Sequence, residues 1–373
     1  MPLLEKKNDK AINEFNQYVK PVSLWADAWK RLRRNRMAVL GMWIVAVYMV
    51  VTFGAALLPF KSYTEQEMLH INLPPSFKPA GVVALGRLEQ RSLDLKAAIL
   101  KSARVDLKQD LERIEAEIVQ LKGEMDTDPK HKRVYILGTD YLGRDMLART
   151  IYGGQISILI GIIGTLTAAF IGIVLGSLGG YLGGWIDNLI GRFVDLMYSL
   201  PYMLVVIIIM SMLPTGSNSI FVLYIAIALI SWLTISRVVR GQIISLKNSE
   251  FVEAARSMGA GSGRIIFRHL LPNSLGIIII YSTLQFPSFI MSESFLSFLG
   301  LGVSAPRASW GTLVSEGVQG MQLYPWRLLV PAVAMTIFLF AMNFLGDGLR
   351  DALDPQSKDR KSTRLNSSHE SPS

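Results

Sequence analysis

The chain has 373 residues, of which 50% are hydrophobic and only 18% charged; its net charge is +9 and it has no cysteine. Soluble domains carry about a quarter charged residues, and here the apolar residues fall into runs of membrane-spanning length, so the chain is read as a polytopic membrane protein. Disulfides, thiolate metal sites and a cysteine nucleophile are excluded, four scattered histidines argue against a metal centre, and the positive charge is assigned to the cytoplasmic flanks of spans, not to nucleic-acid binding.

Residues 1–37 are expected in the cytoplasm, because "WKRLRRNR" places Lys30, Arg31, Arg33, Arg34 and Arg36 just before the first apolar run. That run, 38–60, is longer than the apolar core of a cleaved signal, so it is read as an uncleaved anchor. Residues 61–133 form a polar external insertion, with a heptad helix expected over about residues 88–126. Leu93, Leu100, Leu107, Ile114 and Leu121 recur at every seventh position. A companion row, Ala97, Arg104, Leu111, Ile118 and Met125, is broken only by Arg104. Two readings of the seam stay open: an amphipathic helix lying on its own protein or the membrane, and a contact with another subunit.

Residues 134–355 form a core expected to hold five more spans, over about 157–180, 193–213, 220–235, 274–296 and 328–344; roughly 20 residues cross a bilayer core. Gly172, Gly176 and Gly180 in the second span favour close helix packing. Pro201 and Pro214 would kink or end the third span, and Pro287 would open the fifth near Glu293. Asp195 and Glu293 lie in or beside spans, where a charge faces a cavity or a partner, and both are candidate translocation-pathway residues. Arg192, one turn before Asp195, is its expected partner. The uncharged link "PTGSNS" and the basic loop 237–272 place that loop and both termini in the cytoplasm. Residues 356–373 are polar and aperiodic, read as a disordered tail. "STRLNSSH" there resembles translated cloning sequence and is set aside as a scar.

Within the cytoplasmic loop, "SEFVEAARSMGAGSGRIIFRHLLPN" predicts a helix capped by Asn248 or Ser249, with Glu250 and Glu253 in its first turn. Gly259 supplies a left-handed turn, and Ser262 caps a second short helix that stops near Pro272. From the residues alone, a docking lever and a plain interfacial loop both remain open.

The pattern Glu253-Ala254-Ala255, Gly259 and Leu271-Pro272 resembles the EAA loop of ABC importer permeases. "LGTDYLGRDMLARTIYGGQISILIG", with Gly138, Thr139, Asp140, Gly143, Arg144 and Asp145, resembles the entrance to the second span of dipeptide and oligopeptide permease C-type subunits. "SESFLSFLGLGVSAPRASWG" and "GDGLRDALDP" resemble later blocks of that subfamily. The chain departs from the family at Gln155, where a basic residue is common, and at His269, where isoleucine often stands.

The resemblance covers residues 137–355. It implies an all-α membrane protein with six transmembrane helices, cytoplasmic N and C termini and the type I ABC importer permease fold, in the bacterial inner membrane. It implies a heterodimer with a second permease subunit, two ABC ATPase subunits coupled through Glu253, Ala254, Ala255, Gly259, Leu271 and Pro272, and an extracytoplasmic peptide-binding protein. ATP and Mg would be used by the ATPases. The chain has no G-x-x-x-x-G-K-[ST] loop, so no catalytic residue, metal or cofactor is assigned to it. Two rivals are a secondary transporter with Asp195 or Glu293 as proton carrier, and a membrane-anchored assembly protein acting through the external helix.

Overall fold

The computed structural model describes residues 24–57, 62–101, 105–212 and 219–353. The N-terminal residues 1–23, the end of the expected first span at 58–60, Arg104, Pro214 and the tail 356–373 lie outside the described residues.

All regular elements among the described residues are helices: α1 (Leu24–Leu32), α2 (Arg36–Phe53), α3 (Ala80–Lys101), α4 (Val105–Glu124), α5 (Met146–Leu182), α6 (Gly184–Ser199), α7 (Tyr202–Met212), α8 (Ser219–Leu246), α9 (Glu250–Ser257), α10 (Ser262–Ile265), α11 (Leu271–Phe298), α12 (Trp310–Val318) and α13 (Trp326–Leu353). Five runs are long and apolar enough to cross a membrane: α2, α5, α8, α10 with α11, and α13. The bent pair α6–α7 makes a sixth candidate if it counts as one span.

The centre of the bundle is α5 against α8. A Cβ on Gly172 would lie 2.7 Å from Ile235, one on Gly176 2.6 Å from the Ser236 carbonyl, and one on Gly180 2.9 Å from the Arg240 carbonyl. The four-residue glycine spacing therefore lets the two backbones touch, as small residues do between membrane helices. Both numberings rise together, so α5 and α8 run parallel, and the chain between them has to return to the other end. The pair α6–α7 lies on that return path.

That pair breaks the third span, expected over 193–213, at Pro201, where a kink or an end was expected. The chain bends by 91° between α6 and α7. Pro201 is the cause: it lacks an N–H, and it pushes Leu200 out of the helical region to φ −93°, ψ 138°. Pro287 does not act this way. It is buried inside an unbroken α11, so the expected opening near Glu293 is absent; membrane helices pass a proline where neighbours satisfy the freed carbonyl.

The second short helix of the loop also continues where a stop was expected. From α10 the chain runs through a π turn, Ile266–Leu270, directly into α11. The Leu271 N–H reaches back five residues to Ile266, and the Asn273 side chain donates to the His269 carbonyl at 2.7 Å. The wider turn carries the helix past Pro272.

The heptad helix expected over 88–126 is two helices. α3 and α4 fold back on each other, clipped by Lys96–Glu115 at 2.8 Å and Lys122–Glu89 at 2.9 Å. Ile114 and Leu121 are buried, while Leu93 and Leu100 are 61% and 89% exposed. A seven-residue apolar period is the same whether a helix pairs with another chain or with its own continuation.

The start of α2 and the end of α13 lie together. A Cβ on Gly348 would touch Ala38, and Asn35, whose side chain caps α2, donates to Asp351 at 3.4 Å. Leu353 also lies 4.0 Å from where a Cβ on Gly276 of α11 would sit. These contacts define the loop end of the bundle, which carries α9; residues 62–145 lie at the opposite, insertion end.

Candidate functional site

At the insertion end the residues from Gly138 to Asp145 form one knot. Gly138 and Gly143 have φ of +78° and +74°. A Cβ on Gly143 would lie 1.9 Å from the Glu67 carbonyl, so the turn needs glycine for both its backbone and its space. Thr139 Oγ1 donates to the His70 carbonyl at 2.5 Å and accepts the Leu73 N–H at 2.7 Å. Asp145 caps α5 by accepting from the Leu147 N–H at 2.9 Å.

Asp140 is the hub. It accepts from the N–H groups of Leu142 and Arg144, from Arg144 Nε at 2.6 Å and from Arg149 Nη1 at 2.7 Å. Arg149 also donates to Glu316 of α12 at 2.8 Å, and Arg327 of α13 donates to the Glu316 carbonyl and the Asn72 side chain. The side chains of Asp140, Arg144 and Arg149 are only 2–3% exposed. Arg149, Glu316 and Arg327 were absent from the sequence-predicted set. For Arg149 a signal existed: Asp140, Arg144 and Arg149 lie four and five apart at the start of a helix.

The two scattered histidines nearest this knot meet. His70 Nε2 lies 3.0 Å from His131 Nδ1, and His70 Nδ1 lies 3.3 Å from the Tyr135 hydroxyl. Burial pushes the Tyr135 phenol up to about 12, so it stays a donor. His131 Nε2 lies 3.5 Å from Glu124. Among the described residues no group of three or more His, Cys, Asp or Glu could hold a metal ion.

The two span acids sit apart. Asp195 is paired with Arg237 of α8 at 2.8 Å, which replaces the expected partner Arg192. The reason is that α6 packs on α8, where Phe193 stacks on Trp232 and Tyr198 bonds Thr234. Glu293 is fully buried; its Oε1 accepts from Ser297 at 2.6 Å and Ser309 at 2.5 Å. It thereby ties α11 to the first turn of α12.

At the loop end, α9, the Gly259 turn and α10 form a compact unit. Ser249 occupies the cap position of α9, but its hydroxyl donates back to the Leu246 carbonyl at 2.6 Å and caps nothing. Gly261, not Ser262, precedes α10. Gly259 takes φ +82° with open space around its Cβ position, so it is the backbone and not crowding that calls for glycine. The Ala260 N–H bonds the Ala255 carbonyl at 3.0 Å, closing the helix end. Val252, Ala255 and Ile265 are buried anchors, while Glu253, Ala254, Met258 and Phe267 face outward, Met258 with 81% exposure.

The family model for the binding-protein-dependent transport system inner membrane component matches residues 155–359, and that for the N-terminal transmembrane domain of oligopeptide transport permease C matches residues 23–75. The oligopeptide transport system permease protein OppC of Bacillus subtilis is 35% identical over 337 residues, covering 90% of this chain and 91% of the relative. OppC of Escherichia coli is 36% identical over 358 residues, covering 95% of this chain and all of the relative. The dipeptide transport system permease protein DppC of Bacillus subtilis is 34% identical over 336 residues, covering 90% and 87%. Among solved structures, an inward-facing MetNI methionine ABC transporter chain matches at a TM-score of 0.44 and 18% identity, covering 56% of this chain and 98% of that one.

Proposed function

The chain belongs to the family of binding-protein-dependent transport system inner membrane components, and on that footing we propose that its loop-end unit is the lever through which ATPase subunits drive peptide import. It is a permease subunit of an oligopeptide/dipeptide ABC importer, a multi-pass membrane protein of a bacterial system, and not itself the ATPase.

The observation that carries the lever is the two-sided character of α9–α10. Val252, Ala255 and Ile265 fix it to the bundle while Glu253, Ala254 and Met258 face away. A push on the outer face reaches α11 without a break, because α10 continues through the π turn and Leu271-Pro272 into that span. Coupling requires contacts that differ between two states, and a rigid unit continuous with a span can make them. In this reading two ATPases dock here, a second permease subunit completes the pathway, and an extracytoplasmic protein delivers the peptide.

A six-span arrangement with cytoplasmic ends is supported by parallel α5 and α8, by the shared end of α2 and α13, and by the basic residues of the loop. Within it, residues 61–133 are an external module and 134–355 the permease core. Gly138 to Asp145 brace its outer face. Glu293 is a brace of α11 on α12, and Asp195 a surface partner of Arg237; neither acts as a carrier of protons.

The test is uptake by proteoliposomes carrying the four membrane-associated subunits and the binding protein. Accumulation of labelled dipeptide or oligopeptide should require ATP. Uptake that persists without ATP and collapses with the proton gradient would instead establish a secondary transporter.

A further inference from the structure

The outer face of α6 carries Trp185, Leu189, Arg192 and Leu196, a single stripe at helical spacing, and all four are exposed. The opposite face packs on α8: Val194 is buried, and Asp187 accepts from Arg240 at 2.7 Å. An arginine within an apolar stripe is costly in hydrocarbon. Arg192 has no hydrogen-bond or ion-pair partner among the described residues, since Asp195, one turn on, is bonded to Arg237.

The depth of Arg192 can be read from α8. That helix carries no Asp, Glu, Lys or Arg from Ser219 to Ser236, and its first charge is Arg237. At about 1.5 Å per residue the uncharged run spans roughly 27 Å, close to the thickness of a hydrocarbon core. Arg237 therefore marks the level where hydrocarbon gives way to headgroups. Asp195 bonds Arg237 and Asp187 bonds Arg240, so Arg192, between the two acids on α6, lies at that level too. A cavity of about 220 Å³ is lined there by Arg192, Arg237, Arg240, Asp187 and Asp195. Three guanidiniums face two carboxylates, and each carboxylate is already held by one arginine.

We propose that this groove binds an anionic phospholipid of the cytoplasmic leaflet, its phosphate on Arg192 and an acyl chain along Phe193 and Leu196. The inference rests on the reading of the loop end as cytoplasmic, where the leaflet is negatively charged and basic pockets between transmembrane helices take lipid headgroups. A guanidinium suits a phosphate, which it can meet with two parallel N–H groups. A free anion would match the arginines alone and leave the exposed Trp185, Leu189 and Leu196 without a role. A lipid supplies both parts at once, charge at the level of the arginines and hydrocarbon one turn deeper. Trp185 has the amphipathic ring that membrane interfaces favour.

The test uses the complete importer in vesicles, its other subunits made free of cysteine. This chain has no cysteine, so Leu196→Cys carries a single bimane fluorophore one turn from Arg192. Chain-brominated phosphatidylglycerol and phosphatidylcholine are compared as contact quenchers. Phosphatidylglycerol should occupy the position about three- to fivefold more strongly, the effect of about one surface charge. Arg192→Gln should bring that ratio below about 1.5, while Arg192→Lys, which keeps the charge, should retain most of it. In the parent the ratio should fall toward one at about 1 M salt, where charges are screened within about 3 Å.

Equal quenching by the two lipids, or a preference that survives Arg192→Gln, overturns the site. Quenching by neither lipid means that a protein chain covers the stripe, and overturns it as well. If inorganic phosphate abolishes the preference, the arginines hold a free anion and the lipid assignment fails. The salt series needs no variant at Arg192, and a ratio unchanged by salt also overturns the proposal. None of these measurements requires transport, so an importer that takes up no peptide would sink the peptide reading and leave this one standing.

Discussion

The two ends of the bundle hold the same pair of side chains in opposite surroundings. At the insertion end Asp140 meets Arg144 and Arg149 at 2.6 and 2.7 Å, with side chains 2–3% exposed; at the loop end Asp195 meets Arg237 at 2.8 Å, with side chains 73% and 54% exposed. The distances nearly match, so the difference in energy comes from water. Removing one partner of a buried pair leaves a charge with no solvent and costs about 3–5 kcal/mol, whereas an exposed pair contributes at most about 1 kcal/mol. The family residues divide the same way. Those at the insertion end turn inward and are bonded by their own chain; at the loop end Glu253 and Ala254 face outward while Ala255 is buried as an anchor, and Met258 beside them is exposed too. One end is braced, and the other offers a surface to a partner.

The largest effect should come from breaking the brace at its hub. Asp140→Asn keeps the shape but removes the charge that Arg144 and Arg149 share, leaving only Glu316 to balance them. A destabilisation of about 3–5 kcal/mol is expected, read as a fall in thermal midpoint of the purified subunit complex. A midpoint within about 2 °C of the parent, at a few degrees per kcal/mol for a chain of this size, would show that the network is not a brace. Gly143→Ala should follow. The left-handed backbone costs about 1–3 kcal/mol, and the added Cβ must also displace the Glu67 carbonyl. Besides a lower midpoint, protease cleavage within residues 62–72 should become faster; unchanged cleavage would mean that the turn does not hold that segment.

How much of this was legible in the sequence follows the range of each interaction. The cap made by Asp145 and the positive φ of Gly143 are set within a few residues, and their motif marked them, whereas the contact of Gly143 with Glu67 is not local. Glu316 and Arg327 act across more than 160 residues of chain, and no local spacing names them. Asp195 shows the same limit from the other side: helical spacing offers Arg192, but the packing of α6 on α8 brings Arg237 instead. The heptad row was legible as a buried stripe but silent about its mate. Pro201 and Pro287 read alike as sequence, and only the packing around each separates a break from a helix that runs through.

At the loop end, stability and function should separate. Gly259 has φ +82° and open space around it, so Gly259→Val strains the backbone by about 1–2 kcal/mol without a clash. The complex should still assemble, but ATP hydrolysis should continue with little peptide uptake, because a distorted turn no longer aligns α9 with α10. Gly259→Asn, which tolerates the left-handed region, should restore most uptake. Equal loss in both variants would place the requirement in the glycine's lack of a side chain and remove the turn from the argument.

The smallest effect sharpens the comparison most directly, because it repeats the chemistry of the first at the other end. Arg237→Ala removes the partner of Asp195, which then returns to water instead of being stranded. Arg237 also lies over the Tyr198 ring at 4.3 Å, adding about 0.5–1 kcal/mol at an exposed site, so a total loss of about 1 kcal/mol is expected. Much of the ion-pair part should disappear at high salt, where surface charges are screened, while the Asp140→Asn deficit should persist. Measuring both midpoints across a salt series puts the two aspartates on one scale. If their salt dependences coincide, burial is not what distinguishes the two ends, and the division into braced and offered surfaces fails with it.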